Sequence, residues 1–461
     1  MISAKRPTMP PLRGAKTQKP EPHTEPFDSI PDAGEPSPSP AASGPFHPKP
    51  LQTIADSHLP DSLIESILFK HLLAVGHATG RNIATAIAMP AKPIIEMLAA
   101  FKARQFVYYK DSTAMGDFEY TLTDAGRERA RVFVAECSYV GPAPVTLEDY
   151  ITSVAAQSIT RERARKEDLQ RAFDGLLINE HMFERLGPAI NSGRGLFLYG
   201  FPGNGKTSIA ERITSCFGGA IWVPYAIYTS GEMITFFDPE CHEPVENDAP
   251  SILNAPTYDN RWIRIKRPTL VVGGELMMDS LELQPNHVTK ITEPSLQLKS
   301  NTGTLVIDDF GRQRVSPIEL LNRWIIPLEK RYDFLTLANG KKIKVPFDQL
   351  IIFSTNLEPK DLVDDAFLRR IPYKINVMNP SEEEFRKLFD IMAPIVGVDV
   401  KPGAVDALVE RHYKAVNRPF RCCQPRDLLL QVKNFSAYKG ATPIGNTEAL
   451  DAAVENYFAI M

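Results

Sequence analysis

Cysteine is scarce in this chain: five residues in 461, at Cys137, Cys216, Cys241, Cys422 and Cys423. An odd, scattered set of this kind excludes a disulfide-stapled fold and fits a reducing compartment. Long apolar runs are missing as well. No stretch reaches the ~20 residues that span a bilayer, and the first residues carry no apolar signal core, so a cytoplasmic protein without membrane insertion is expected. Nor is there an excess of one charge, since 52 Lys+Arg against 56 Asp+Glu leave a formal net charge of −4. That balance gives no global reason to expect nucleic acid, although a local basic patch stays open. The length suffices for two or three domains with separate cores.

What is present begins with proline. Thirteen of the 39 prolines fall in the first 50 residues, including Glu35-Pro36-Ser37-Pro38-Ser39-Pro40. Such a segment buries too little apolar surface to offset its ordering entropy, so 1–55 is expected to be a disordered or polyproline-like tether, with a ligand for a proline-recognising domain as the alternative. From Leu59 the pattern becomes compact. Helices are expected over Asp61 to Val75, Arg81 to Met89 and Pro93 to Arg104, then strands over 106–110 and 118–122 around a polar turn at 112–116. Three helices followed by a hairpin, continuing as Thr123-Asp124-Ala125-Gly126-Arg127, resemble a winged helix spanning 56–145. The third helix would then read DNA, yet it is mostly apolar, and Asp61 to Arg131 holds nine Lys/Arg against eight Asp/Glu. DNA contact is therefore the less favoured alternative to a protein-docking or structural role. Residues 146–167 read as a helical linker, whose charged stretch 160–167 is expected to be a solvated helix face.

The strongest signal lies at Gly200-Phe201-Pro202-Gly203-Asn204-Gly205-Lys206-Thr207. Every fixed position of the phosphate-binding P-loop is matched. The buried run 195–199 precedes it and a helical pattern from Thr207 and Ser208 to Ile213 follows. Gly200, Pro202, Gly203, Asn204 and Gly205 shape a backbone cradle for the phosphates of ATP. Lys206 reaches the β and γ phosphates, and Thr207 offers its hydroxyl to Mg²⁺. Downstream, Thr304-Leu305-Val306-Ile307-Asp308-Asp309 is a buried strand ending in two carboxylates. Asp308 suits Mg²⁺ and Asp309 suits the attacking water, with a plain turn or helix cap as the alternative. A further strand, 349–355, ends in Thr355-Asn356.

In order and spacing these motifs resemble the AAA+ ATPases over residues 168–461. That resemblance implies an α/β P-loop core with a parallel sheet (168–378, carrying a strand-rich insert) and a helical lid (379–461). It implies that Asn356 reads the γ-phosphate, that Arg426 of Gln424-Pro425-Arg426-Asp427 does so from the lid, and that Arg370, with Arg369 close behind, enters a neighbouring subunit's site. Hydrolysis would then depend on a homo-oligomeric ring, hexameric by resemblance, and would remodel a protein client. Asp309 departs from the family's usual Glu and puts fast turnover in doubt, which keeps a nucleotide-gated scaffold open beside a DNA-associated regulator.

Between the motifs the interval is long and rich in strands. A hairpin is expected over 226–237 with a Ser230-Gly231 turn, and a strand over 261–266. These form either a substrate-facing insert or a structural elaboration. A second hairpin, 334–345, turns at Asn339-Gly340 and matches the pre-sensor-1 hairpin of one AAA+ branch, within which the chain is similar to MoxR-type ATPases. Cys241-His242 fits no zinc spacing and Cys422-Cys423 reads as lid packing. Ser381 to Glu384 is a capping-box start for the lid.

Overall fold

The computed structural model describes residues 46–112, 117–245 and 257–458. The proline-rich run before Phe46 and most of the turn at 112–116 lie outside the described residues.

Helix Asp61–Val75 follows an extended Pro60 and stops at Gly76, whose φ of 83° suits a residue without a Cβ. Gly80–Ala86 and Ala91–Ala103 come next, and Asp124–Glu136 closes the unit with Thr123 accepting from the Gly126 N–H. Strand Phe118–Leu122 pairs antiparallel with Val107–Ser112 on one side and with His77–Thr79 on the other. Ile64, Ile67, Phe69, Leu98 and Phe101 form the core of this unit. Helix Ala91–Ala103 turns Lys92, Glu96, Ala99, Ala100 and Lys102 to solvent.

The central core is a parallel sheet with the order Thr269–Val272, Thr304–Ile307, Leu350–Thr355, Leu196–Tyr199, Tyr373–Asn376. The three central strands are buried along almost their whole length, as a sheet covered on both faces requires. Alternation divides their side chains. Leu196, Leu198, Val306 and Ile352 face one cluster with helix Glu180–Ser192, while Phe197, Leu305, Ile307 and Phe353 face another around Trp324. The α/β class expected from the sequence is what is found. Helices Glu382–Val396, Ala404–Val409, Gln424–Tyr438 and Thr447–Tyr457 share a separate core. The first starts at the expected capping box: Ser381 Oγ accepts from Glu384 N at 3.2 Å and Glu384 returns a carboxylate to Ser381 N at 2.8 Å.

One segment behaves differently from expectation. The charged run 160–167 is not one helix: a 3-10 turn, Ile159–Arg161, gives way to extended chain before helix Lys166–Ala172. Asn191 fixes that extension, accepting from Ala164 N at 2.8 Å and donating to Ala164 O at 2.9 Å. Helix Leu147–Ala156 lies where a helical connector was expected and is packed against its neighbours. Val145–Thr146 pairs in parallel with Ala226–Thr229, and Tyr150 and Val154 are buried among residues of the strand-rich region. In that region Ala226–Thr229 and Glu232–Thr235 form the expected hairpin, with positive φ at Ser230 and Gly231, and Trp262–Lys266 pairs with Ala220–Pro224. The hairpin Tyr332–Thr336 with Lys342–Pro346 turns at Gly340 as expected, and its tip is held by Glu232, which accepts from Ala338 N and Asn339 N at 3.0 and 2.8 Å.

The N-terminal unit is tied to this region through a buried pair. Arg261, 3 % exposed, bonds both oxygens of Asp259, 4 % exposed, and its remaining nitrogen donates to Ser57 O and Pro144 O at 3.3 and 3.0 Å. Among the described residues no single helix is long and apolar enough to cross a membrane.

Candidate active site

The sheet order places three consecutive strand ends side by side. Gly200 follows Tyr199, Asn356 follows Thr355 and Asp308 follows Ile307, all at the carboxyl edge where open parallel sheets bind ligands. Because the Asn356 strand lies between the other two, its polar terminus necessarily meets both.

Between Gly200 and Lys206 the chain turns tightly. Gly203 has φ +82°, and a Cβ built there would stand 2.6 Å from Cys423 Sγ. At Gly200 a Cβ would stand 2.5 Å from the Val377 carbonyl oxygen. Neither position has room for a side chain, so the loop holds a concave backbone at the N-terminus of helix Lys206–Ile213.

Polar side chains converge on this hollow. Lys206 Nζ donates to Gly200 O at 2.9 Å, Phe201 O at 3.1 Å and Asn356 Oδ1 at 2.7 Å. Asn356 Nδ2 donates in turn to Asp309 Oδ1 at 3.1 Å. Thr207 Oγ1 donates to Asp308 Oδ2 at 2.7 Å. Burial holds the Lys206 ammonium below the ordinary lysine range, against the pull of Asp308 and Asp309, and Arg421 deepens the effect. A cation in this state gains from any anion brought to it. The hydroxyl of Thr207 beside the carboxylate of Asp308 is a set of hard oxygen donors suited to Mg²⁺.

Asp309 sits at φ +49°. Short Asp and Asn tolerate this left-handed backbone better than longer residues, which gives a local reason for Asp rather than Glu there. The turn is pinned by Phe310 N donating to Ser354 O at 2.7 Å and Thr355 Oγ1 donating to Phe310 O at 2.9 Å.

The two arginines singled out in the sequence are paired with carboxylates of this chain. Arg426, exposed, gives its guanidinium to Asp427 Oδ1 at 3.1 and 3.2 Å. Arg370 bonds Glu329 Oε1 at 2.6 Å, whereas the neighbouring Arg369 is exposed. The lid meets the loop through Arg421 and Asn379, which sequence reasoning missed, and through Asn204, which it placed in the phosphate cradle. The Arg421 guanidinium lies 4.3 Å from the centre of the Phe201 ring and bonds Asn379 Oδ1, which also accepts from Asn204 Nδ2 at 2.8 Å. Cys423 N donates to Gly203 O at 2.8 Å. Asn204 is thus a buried bridge between loop and the core-to-lid connection, a role that only the 3-D contact reveals. Burial pushes the Cys422 thiol up to about 11 and raises that of Cys423, as expected for packed rather than reactive cysteines.

His242 is likewise structural. Its Nδ1 accepts from Asp238 N at 3.1 Å and its Nε2 meets Lys299 O at 2.9 Å.

A family described as a domain of unknown function (DUF8689) matches residues 381–456. These residues make up most of the helical unit that packs on the loop. No curated protein matches the sequence. Among solved structures, the chain is similar to NtrX from Brucella abortus at 15 % identity, over 62 % of this chain and 57 % of that one, with a TM-score of 0.39. The complex of the same protein with ATP gives 14 %, 63 %, 58 % and 0.38. The Thermotoga maritima RuvB Holliday junction branch migration motor gives 14 %, 65 %, 73 % and 0.35. The chain therefore spans less than two thirds of the NtrX chains it matches.

Proposed function

We propose that this chain is a Mg²⁺-dependent ATPase of the AAA+ type, acting as a ring-forming oligomer that remodels a protein partner. The observation that carries the reading is the convergence of Lys206, Thr207, Asp308, Asp309 and Asn356 at the ends of three adjacent parallel strands. In this reading the backbone of Gly200, Pro202, Gly203, Asn204 and Gly205 cradles the phosphates and Ser208 adds its amide at the helix start. Lys206 turns from Asn356 to the β and γ phosphates. Thr207 and Asp308 hold Mg²⁺, which when bound neutralises charge on the phosphate oxygens. Asp309 and Asn356 orient the attacking water between them.

Arg370 is engaged by Glu329, so Arg369 becomes the first choice for the residue offered to a neighbouring subunit's nucleotide. Arg426 would serve from the lid only after leaving Asp427. Arg421 already faces the loop. The three-helix unit with its antiparallel sheet supports the winged-helix reading, and the near-neutral outer face of helix Ala91–Ala103 favours protein over DNA as its partner. The hairpin at Asn339-Gly340 supports the MoxR-like branch.

Phosphate release from ATP, followed from dilute to concentrated protein, tests the proposal. Activity should rise more steeply than protein concentration and vanish in Lys206→Ala. The absence of any Lys206-dependent release would remove the enzymatic claim. Tight ATP binding without release would select the second reading, a nucleotide-gated scaffold, which the short side chain of Asp309 motivates.

A further inference from the structure

A cavity of about 530 Å³ lies well away from the loop, between helix Asp61–Val75, the end of helix Asp124–Glu136 and the strand-rich region. One stripe of the first helix lines it: Ser62, Ser66 and Lys70, spaced by four and therefore stacked on one face. Their exposure falls along the stripe, from exposed Ser62 through half-buried Ser66 to Lys70, only 1 % exposed. A helix whose neighbouring residues Ile64, Ile67, Leu68 and Phe69 are all core would be expected to bury apolar groups here too.

Lys70 is the informative member. A buried ammonium normally faces a carboxylate, yet the hydrogen bond made by Lys70 Nζ is to a neutral acceptor, Cys137 O, at 3.0 Å. An ammonium has three donors, so two remain for whatever enters the cavity. Among the described residues neither serine hydroxyl is hydrogen-bonded. Across the opening, Lys290 adds a positive group to the rim, Glu136 adds a negative group at the mouth, and the Glu232 carboxylate is taken up by Ala338 N and Asn339 N.

We propose that this cavity binds a small oxyanion, a phosphate or carboxylate group, through the ammonium of Lys70 and the hydroxyls of Ser66 and Ser62. The chemistry matches: an ammonium supplies the charge and two hydroxyls the remaining donors, in surroundings where burial strengthens each bond. Burial holds Lys70 below the ordinary lysine range, against the pull of Cys137 and Glu136, and an entering anion would oppose that shift further. Since the walls come from both the N-terminal unit and the strand-rich region, such a ligand would also cement the two.

The test uses the full chain carrying Lys206→Ala, which removes phosphate binding at the loop. Inorganic phosphate and succinate are titrated separately by calorimetry. Saturable binding of either, weakened at least about tenfold by Lys70→Met and measurably by Ser66→Ala, supports the site and distinguishes the two oxyanion sources. No binding of either probe, or equal binding by Lys70→Met, overturns it. Should Lys70→Met fail to fold, selenate soaked into crystals of the Lys206→Ala chain decides: anomalous density within hydrogen-bond reach of Lys70 Nζ supports the proposal, and its absence there refutes it.

Discussion

Replacing Arg261 by Met removes the charge and the donors and leaves a shorter, apolar side chain. In the native chain the guanidinium meets Asp259 at 2.8, 3.0 and 3.1 Å and two backbone carbonyls at 3.0 and 3.3 Å, with both partners almost fully buried. After substitution the Asp259 carboxylate keeps its bond from Arg261 N at 3.0 Å, and the Ser57 and Pro144 carbonyls lose their donor. Breaking a buried pair by removing one partner costs about 3–5 kcal/mol, a large part of the 5–15 kcal/mol that typically holds a domain together. The three tryptophans make this readable: Trp222 and Trp262 lie in the same cluster as this pair's neighbours, while Trp324 sits in the core of the parallel sheet. With Trp324→Phe as background, urea unfolding followed by tryptophan fluorescence reports on the strand-rich region. The transition should lose about 3–5 kcal/mol in Arg261→Met, and the double change Arg261→Met with Asp259→Leu should recover much of it, because two apolar groups leave no buried charge. A loss below about 1 kcal/mol would show that the pair is not the clamp described.

Gly203→Ala places a Cβ 2.6 Å from Cys423 Sγ on a left-handed backbone, so ATP affinity should fall at least about tenfold, measured by equilibrium titration; unchanged affinity would mean that the lid yields freely. Arg421→Ala should weaken ATP binding more than Arg426→Ala does, since Arg421 lies against the loop and Arg426 is spent on Asp427; the reverse order would restore Arg426 as the lid arginine at the phosphates. Burial depresses His242, so it stays neutral in the folded chain while the unfolded chain takes up a proton below pH ~6.5. Its contribution to stability is therefore present above that pH and lost as pH falls towards the depressed folded value, and His242→Phe should flatten the melting profile between about pH 7 and 5. Parallel profiles for both chains would contradict this.

Legibility in the sequence followed the range of the interaction. Helix Asp61–Val75 and both hairpins carry their signals locally, in periodicity and in turn residues that accept positive φ, and their expected positions agree with the structure. The strand Thr269–Val272 went unseen because four residues after another strand carry no periodicity of their own, although it forms the edge of the central sheet. His77–Thr79 is short and polar and is a strand only because Phe118–Leu122 pairs with it. At the site, Lys206, Thr207, Asp308 and Asn356 were legible since each follows a buried strand. Asn379 and Arg421 were not, and neither was the bridging role of Asn204, because their partners are distant in sequence and no spacing announces them. The charge run at 160–167 misled for a related reason: Asn191 holds Ala164 extended from 27 residues away.

The central claim is that the hollow at Gly200 to Thr207 is a triphosphate site completed by Asp308 and Asn356. Calorimetric titration of ATP with Mg²⁺ into the full chain tests it most directly. The account predicts one saturable site per chain, lost in Lys206→Ala and weakened when Mg²⁺ is withheld. Equal binding by wild type and Lys206→Ala, or no binding by the wild type, would contradict it.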